Sequence, residues 1–174
     1  MRGFVRVLAI AVLSIVVLVA VLGVAARFHD GPLAIVAGGP FTSGERYAGP
    51  EPDWSFLRDV ATVELQTLEP ARSRTTWVVE HEGRVFIPCG YMSSWWGRVW
   101  KKWPLEAERD GRALLRVDGK IYERQLVRIR EGAGLEPVLE KLARKYLGAT
   151  GPVPDATAQV DAGSLWIFEL VPRG

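Results

Sequence analysis

Val7 to Ala26 is a run of twenty residues without a charge, nearly all Val, Leu, Ile and Ala. At about 1.5 Å rise per residue, such a helix spans the roughly 30 Å hydrocarbon core of a bilayer. Arg2, Arg6 and the amino terminus precede it, and Arg27 and His29 follow it. The small basic excess ahead of the run predicts a cytoplasmic N-terminus, with everything after the helix on the far side. Val24-Ala25-Ala26 also supplies the small residues a signal peptidase requires, so a cleaved signal is the competing reading. The run is longer than a usual signal core, which favours a retained anchor. The expectation is a single-pass protein of the cell inner membrane. Residues 1–29 contact lipid, and the domain lies on the extracytoplasmic side.

Residues 30–52 are rich in Gly and Pro and keep no period of 2 or 3.6, which predicts an extended connector. Gly38-Gly39 has no strand or helix pattern around it and reads as a turn rather than a phosphate loop. Residues 53–174 carry the periodic elements. Asp53 can cap a short helix over Trp54 to Val60. Thr62 to Leu68 alternates, with Val63, Leu65 and Thr67 on one side and Glu64 and Gln66 on the other, and predicts a half-buried strand. Thr75 to Glu80 and Arg84 to Ile87 read as a hairpin turning at His81-Glu82-Gly83. Ala113 to Val117 and Lys120 to Arg130 flank Asp118-Gly119, a two-residue hairpin signal. Leu135, Val138, Leu139, Leu142 and Tyr146 recur at helical spacing, and Gly148 supplies the stop. Gly151 to Gly163 reads as a loop. Leu165 to Val171 is a strand apolar on both faces, hence central or sandwiched. Strands outnumber helices and follow one another closely, which predicts a mainly β domain. The form expected is a small barrel of six or so strands with two or three covering helices.

The overall charge of +2 resides in Arg2 and Arg6, and the rest of the chain is balanced. That balance argues against a nucleic-acid-binding surface. One cysteine excludes an intrachain disulfide, and two histidines with one cysteine argue against a protein-built metal site. Cys89 is expected to be a small buried thiol. His81, the nearest histidine in sequence, lies about eight residues or 25 Å of extended chain away, too far to serve as its base.

Four of the seven tryptophans fall between Trp95 and Trp103. Over Ser93 to Trp103, a helix would gather Trp95, Trp96, Val99, Trp100 and Trp103 within an arc of about 140°, opposite Arg98, Lys101 and Lys102. Pro104 would end it. Three readings stay open here: indoles that plug the end of a barrel, a helix lying on a membrane surface, or a cofactor site. In the last, Lys and Arg hold a phosphate while an indole covers a flat ring. Arg72-Ser73-Arg74-Thr75-Thr76 is a second candidate for phosphate binding, with a surface loop as its alternative.

From about Trp54 to Val171 the order of parts resembles the flavin-binding split-barrel superfamily, which includes pyridoxamine-phosphate-oxidase-like proteins and deazaflavin-dependent nitroreductases. Arg74-Thr75-Thr76-Trp77-Val78-Val79 followed by Gly83-Arg84-Val85-Phe86-Ile87 is similar to that group's hairpin. Ser93-Ser94 through Lys101-Lys102-Trp103-Pro104 stands where the group has a Ser/Thr–Lys stretch and a short helix. Trp103-Pro104 departs from the group, which has Asn and then an acidic-Pro pair there. The resemblance implies an FMN or deazaflavin whose phosphate is gripped by Arg74, Thr75, Thr76, Ser93, Ser94, Lys101 and Lys102, with Trp77 and Trp103 flanking the ring. It also implies oxidoreductase chemistry, toward a quinone or nitro-type acceptor suited to a membrane tether, and a homodimer. The alternative function is non-catalytic: binding lipid or a membrane partner through the Trp-rich basic helix.

Overall fold

The computed structural model describes residues 2–90, 92, 102–131 and 134–173. Helix α1 (Arg2–Ala26) is exposed along nearly its whole length, and Gly3–Ala26 is apolar and long enough to cross a membrane. Then come β1 (Glu45–Arg46), a 3-10 helix (Trp54–Arg58), β2 (Thr62–Leu68), β3 (Ala71–Trp77), β4 (Val79–His81) and β5 (Arg84–Cys89). Helix α2 (Trp103–Arg109), β6 (Arg112–Val117), β7 (Lys120–Ile129), α3 (Glu136–Leu147), α4 (Ala156–Asp161) and β8 (Trp166–Pro172) complete the described elements.

The strands form one sheet in the order β3-β2-β6-β7-β8-β5-β4, antiparallel throughout, with β1 added parallel to β7. The two edges of this path, β3 and β4, are consecutive in the chain and only Val78 separates them. One residue reaches about 3.8 Å. The sheet therefore has to curl until its edges meet, giving a half-closed barrel with helices against it: a barrel as the strand pattern predicts, and open on one side in the manner of the split barrel that the resemblance implies.

Alternation then sorts the side chains. Val63, Leu65, Val85, Ile87, Leu115 and Phe168 point into the barrel, where Trp54, Leu57 and Trp103 close its core. Phe86, Val79 and Ile167 point outward and are covered by Val138, Leu139 and Leu142 of α3. β8 lies between β7 and β5, as its apolar faces require. The turns at Glu82-Gly83 and Asp118-Gly119 have positive φ at both residues (53° and 74°, 50° and 71°), the twist that a two-residue hairpin demands. Gly148 ends α3 in the left-handed conformation.

Several boundaries differ from the sequence pattern. The segment after Asp53 is a 3-10 helix ending at Arg58, not a helix to Val60; its cap is as expected, the Asp53 carboxylate accepting from the Ser55 N–H at 2.9 Å. β3 begins at Ala71, because Leu68 pairs with Ala71 and Glu69-Pro70 forms the tip of a hairpin. Pro70 thus turns the chain into a second strand, and Arg72–Thr76 lies within that strand rather than in a loop. Pro104 does not end a helix; it sits in the first turn of α2, where a missing N–H costs nothing. Residues 151–163 are not all loop: Ala156–Asp161 forms α4, a short helix held by burial of Val160 against the outer core. Counting β1, eight strands are described, more than the six or so expected.

The connector is extended, and it is bound to the barrel along its length. Gly38 exchanges backbone hydrogen bonds with Ser73 of β3 (2.9 and 3.3 Å). A Cβ on Gly38 would stand 1.7 Å from the Gly31 carbonyl oxygen, so only glycine permits this crossing. Arg116 of β6 ties the same strap down through Asp30 (2.9 Å), and it also bonds Glu64 and lies 4.2 Å from the Phe41 ring centroid.

Candidate functional site

Strand alternation divides the predicted phosphate-binding residues. Arg72, Arg74 and Thr76 share the face of β3 that pairs with Thr67, Leu65 and Val63, the interior face. Ser73, Thr75 and Trp77 take the other. Thr75 is exposed and lines an outer cleft with Glu64, Arg116 and Ser43. Trp77 is 44% exposed and stacks on Tyr146 of α3 at 4.5 Å with the rings 8° from parallel. Thr75 and Trp77 are thus separated from Arg74 by the thickness of the sheet.

Arg74 is brought against Trp103. Its guanidinium lies 5.3 Å from the indole centroid, and Trp103, only 7% exposed, packs in turn on Phe168 at 5.4 Å. Arg74 Nη2 donates to Thr67 Oγ1 (3.2 Å) and weakly to the Arg72 carbonyl (3.4 Å). No carboxylate of the described residues lies within ion-pair distance of it. Burial pushes its pKa down to about 10; Glu106 of α2 pulls the other way, and Arg72 adds to the fall. The group stays cationic at neutral pH. The Nε atoms of both Arg72 and Arg74 are buried with no hydrogen-bond partner among the described residues. Arg72 and Arg74, two residues apart on one strand face, thus each keep a buried N–H donor that no described residue uses. Lys102 is exposed at the N-terminal end of α2, immediately before Trp103, and its side chain caps nothing. Ser93, Ser94 and Lys101, with the Trp-rich segment between them, lie outside the described residues.

The sequence pattern groups Arg74 with Thr75 and Thr76 on one ligand, and the strand register puts Thr75 on the opposite face. That grouping leaves out Thr67, which accepts from the guanidinium, and Glu106, the acid whose charge opposes the fall in its pKa. Arg72 belongs to the basic stretch singled out in the sequence, and once residues 71–77 are a strand, positions 72 and 74 share a face. Cys89 is buried, as expected of a packed thiol. Among the described residues no cluster of His, Cys, Asp and Glu could hold a metal ion.

No protein-family model matches the chain, and no curated protein matches it. Among solved structures it is similar to a conserved hypothetical protein of Mycobacterium tuberculosis (15% identity, 68% of this chain and 77% of that one, TM-score 0.46). It is also similar to a Listeria innocua protein named for pyridoxamine 5'-phosphate oxidase (11%, 69% and 90%, TM-score 0.45). A third is an F420 reductase (12%, 72% and 97%, TM-score 0.43). These are likenesses of chain path at low identity, and the site rests on this chain's own residues.

Proposed function

We propose that the domain binds a phosphate-bearing flavin, FMN or a deazaflavin, and acts as a membrane-tethered oxidoreductase. The observation that carries this reading is the pair of buried Nε atoms of Arg72 and Arg74, without an acceptor among the described residues, with the Arg74 guanidinium over the Trp103 indole. A phosphate dianion there would satisfy both guanidiniums and remove the cost of burying them unpaired. Lys102 would add a third cation at the mouth, joined by Ser93, Ser94 and Lys101 on the resemblance set out above. Trp103 would hold the guanidinium plane in place from below. The isoalloxazine or deazaflavin ring would supply the hydride or electron chemistry, and the protein would supply position and charge. Helix α1 would keep the domain at the bilayer, with the N-terminus cytoplasmic, where a quinone or nitro-type acceptor is concentrated. Thr75, Thr76 and Trp77 are then secondary: Thr76 shares Arg74's face, while Thr75 and Trp77 would meet the ligand only across a homodimer interface.

The test is a titration of the full chain in neutral detergent with FMN, FAD and deazaflavin, followed by flavin fluorescence. Saturable binding that weakens at least tenfold in Arg74→Met is expected. Binding of no flavin, or equal binding by the variant, would overturn the reading. Sodium carbonate extraction of membranes separately tests the tether: a chain released by carbonate, or one that begins after Ala26, is not anchored by α1.

A further inference from the structure

A second basic concavity lies on the outside of the barrel, away from Arg74. It is a cleft of about 500 Å³ between the 3-10 helix, β4 and α3, lined by Arg58, Val79, Glu80, Lys141, Arg144 and Lys145. Four cations face one carboxylate. Glu80 is buried and fully committed: it accepts from Arg58 Nε (2.8 Å) and the Gly83 N–H (3.0 Å), and Lys141 Nζ stands 3.8 Å away. Lys145 Nζ donates to the carbonyls of Leu57 (2.8 Å) and Val78 (3.1 Å), both neutral acceptors. An ammonium has three N–H groups, so one remains. Arg144 is exposed and no hydrogen bond or ion pair holds it among the described residues. Lys141, Arg144 and Lys145 are spaced i, i+3 and i+4, hence on one side of α3, and Arg58 faces them from the opposite wall. Burial lowers the Lys145 pKa, with Asp59 opposing, which marks its ammonium as under-compensated.

We propose that this cleft is a binding site for a phosphate monoester. A monoester dianion is matched by several converging cations and would take the unused Lys145 N–H together with the free Arg144 fork. Among the lining residues the committed Glu80 leaves a surplus of three positive charges, which Asp59 nearby offsets in part. Val79 and the aliphatic stems of the lysines offer an apolar wall to the group that carries the phosphate. Two sources share this chemistry, a soluble phosphate ester and the headgroup of phosphatidic acid.

The experiment uses the full chain in phosphatidylcholine nanodiscs. In one arm glycerol 3-phosphate is titrated; in the other the nanodiscs contain increasing phosphatidic acid. The readout in both is the shift of the thermal unfolding midpoint. A saturable upward shift is expected in at least one arm, and the arm that responds identifies the source. Arg144→Gln should raise the half-saturating concentration at least tenfold. Arg144→Lys should stay within about threefold of wild type, and Lys120→Gln, at the start of β7 and outside the cleft, should match wild type. No saturable shift in either arm overturns the proposal, as does a shift that Arg144→Gln leaves intact. A response lost in Arg74→Met but kept in Arg144→Gln assigns the phosphate to the interior site instead, so the two sites fail separately.

Discussion

The guanidinium of Arg74 lies 5.3 Å from the ring of Trp103, and no carboxylate of the described residues pairs with it. The contact with the indole contributes about 0.5–2 kcal/mol. It does not offset the burial of an unpaired cation, which is why the pKa is driven down to about 10. Such a group is a candidate for binding rather than for stability, and substitution tells the two apart.

Replacing Arg74 should therefore separate binding from stability. Arg74→Met keeps much of the volume and removes the buried charge, so the thermal midpoint of the ligand-free protein should hold or rise. Flavin affinity should fall about ten- to hundredfold, since a charge-assisted hydrogen bond contributes about 1.5–3 kcal/mol. Differential scanning calorimetry and a flavin titration on the same preparation check both halves. A midpoint several degrees lower would mean that Arg74 is structural.

Trp103 has the opposite character. It is buried between Arg74 and Phe168, and Trp103→Ala should cost about 3–5 kcal/mol through the cavity it leaves. Trp103→Phe retains an aromatic floor and should cost well under half as much. Urea denaturation of the two variants gives the comparison.

Tyr146 secures the seam of the barrel. Its hydroxyl accepts from the Val78 N–H (3.0 Å) and lies 2.8 Å from the carbonyls of both Ala61 and Val78, so its single proton serves one of them. Val78 is the one residue between the two sheet edges. Tyr146→Phe should lower stability by about 1–2 kcal/mol, because it strands a buried N–H at that bend. Hydrogen exchange should show the Val78 amide losing protection before those of β6 and β7. Uniform loss of protection would argue against a local seam.

The strap predicts a pH response. Burial alone would raise the Asp30 pKa, but hydrogen bonds from the Ser43 hydroxyl and the Thr42 N–H, then Arg116, outweigh it and hold the carboxyl well below its ordinary value. A carboxyl whose folded pKa is depressed stabilises the fold above its unfolded pKa, near 3.9, and that contribution is lost as pH falls below it. Stability should be flat from pH 7 to about 5 and decline below about 4. Asp30→Asn should cost about 1 kcal/mol at pH 7, discounted for partial exposure, and should flatten the decline. Melting curves at five pH values for both proteins decide this.

Much of the barrel was legible because its signals are local. Thr62–Leu68 alternates with period 2, Asp118-Gly119 can hardly be anything but a tight turn, and the apolar stripe of α3 ends at Gly148. Each depends only on residues a few positions apart. The elements that were missed depend on distant partners. Pro70 reads as the end of a strand until β2 gives β3 something to pair with. Helix α4 has six residues, too few to persist without Val160 packed on the outer core. Pro104 is compatible with stopping one helix or starting another, and local sequence does not choose.

The candidate site was half legible for the same reason. Composition could pick out Arg72 to Thr76 and the lysines before Trp103 as basic and polar near aromatics. Only pairing register decides that Arg72 and Arg74 face the interior while Thr75 and Trp77 face out, because a shift of one residue exchanges every side chain between the faces. That α1 is apolar and long enough to span a bilayer is a property of the sequence alone. That the glycine-rich strap after it is fastened to Ser73 and Arg116, and that Val78 draws the two edges of the sheet together, are consequences of the closed fold. They require contacts between residues dozens of positions apart, which no local pattern encodes.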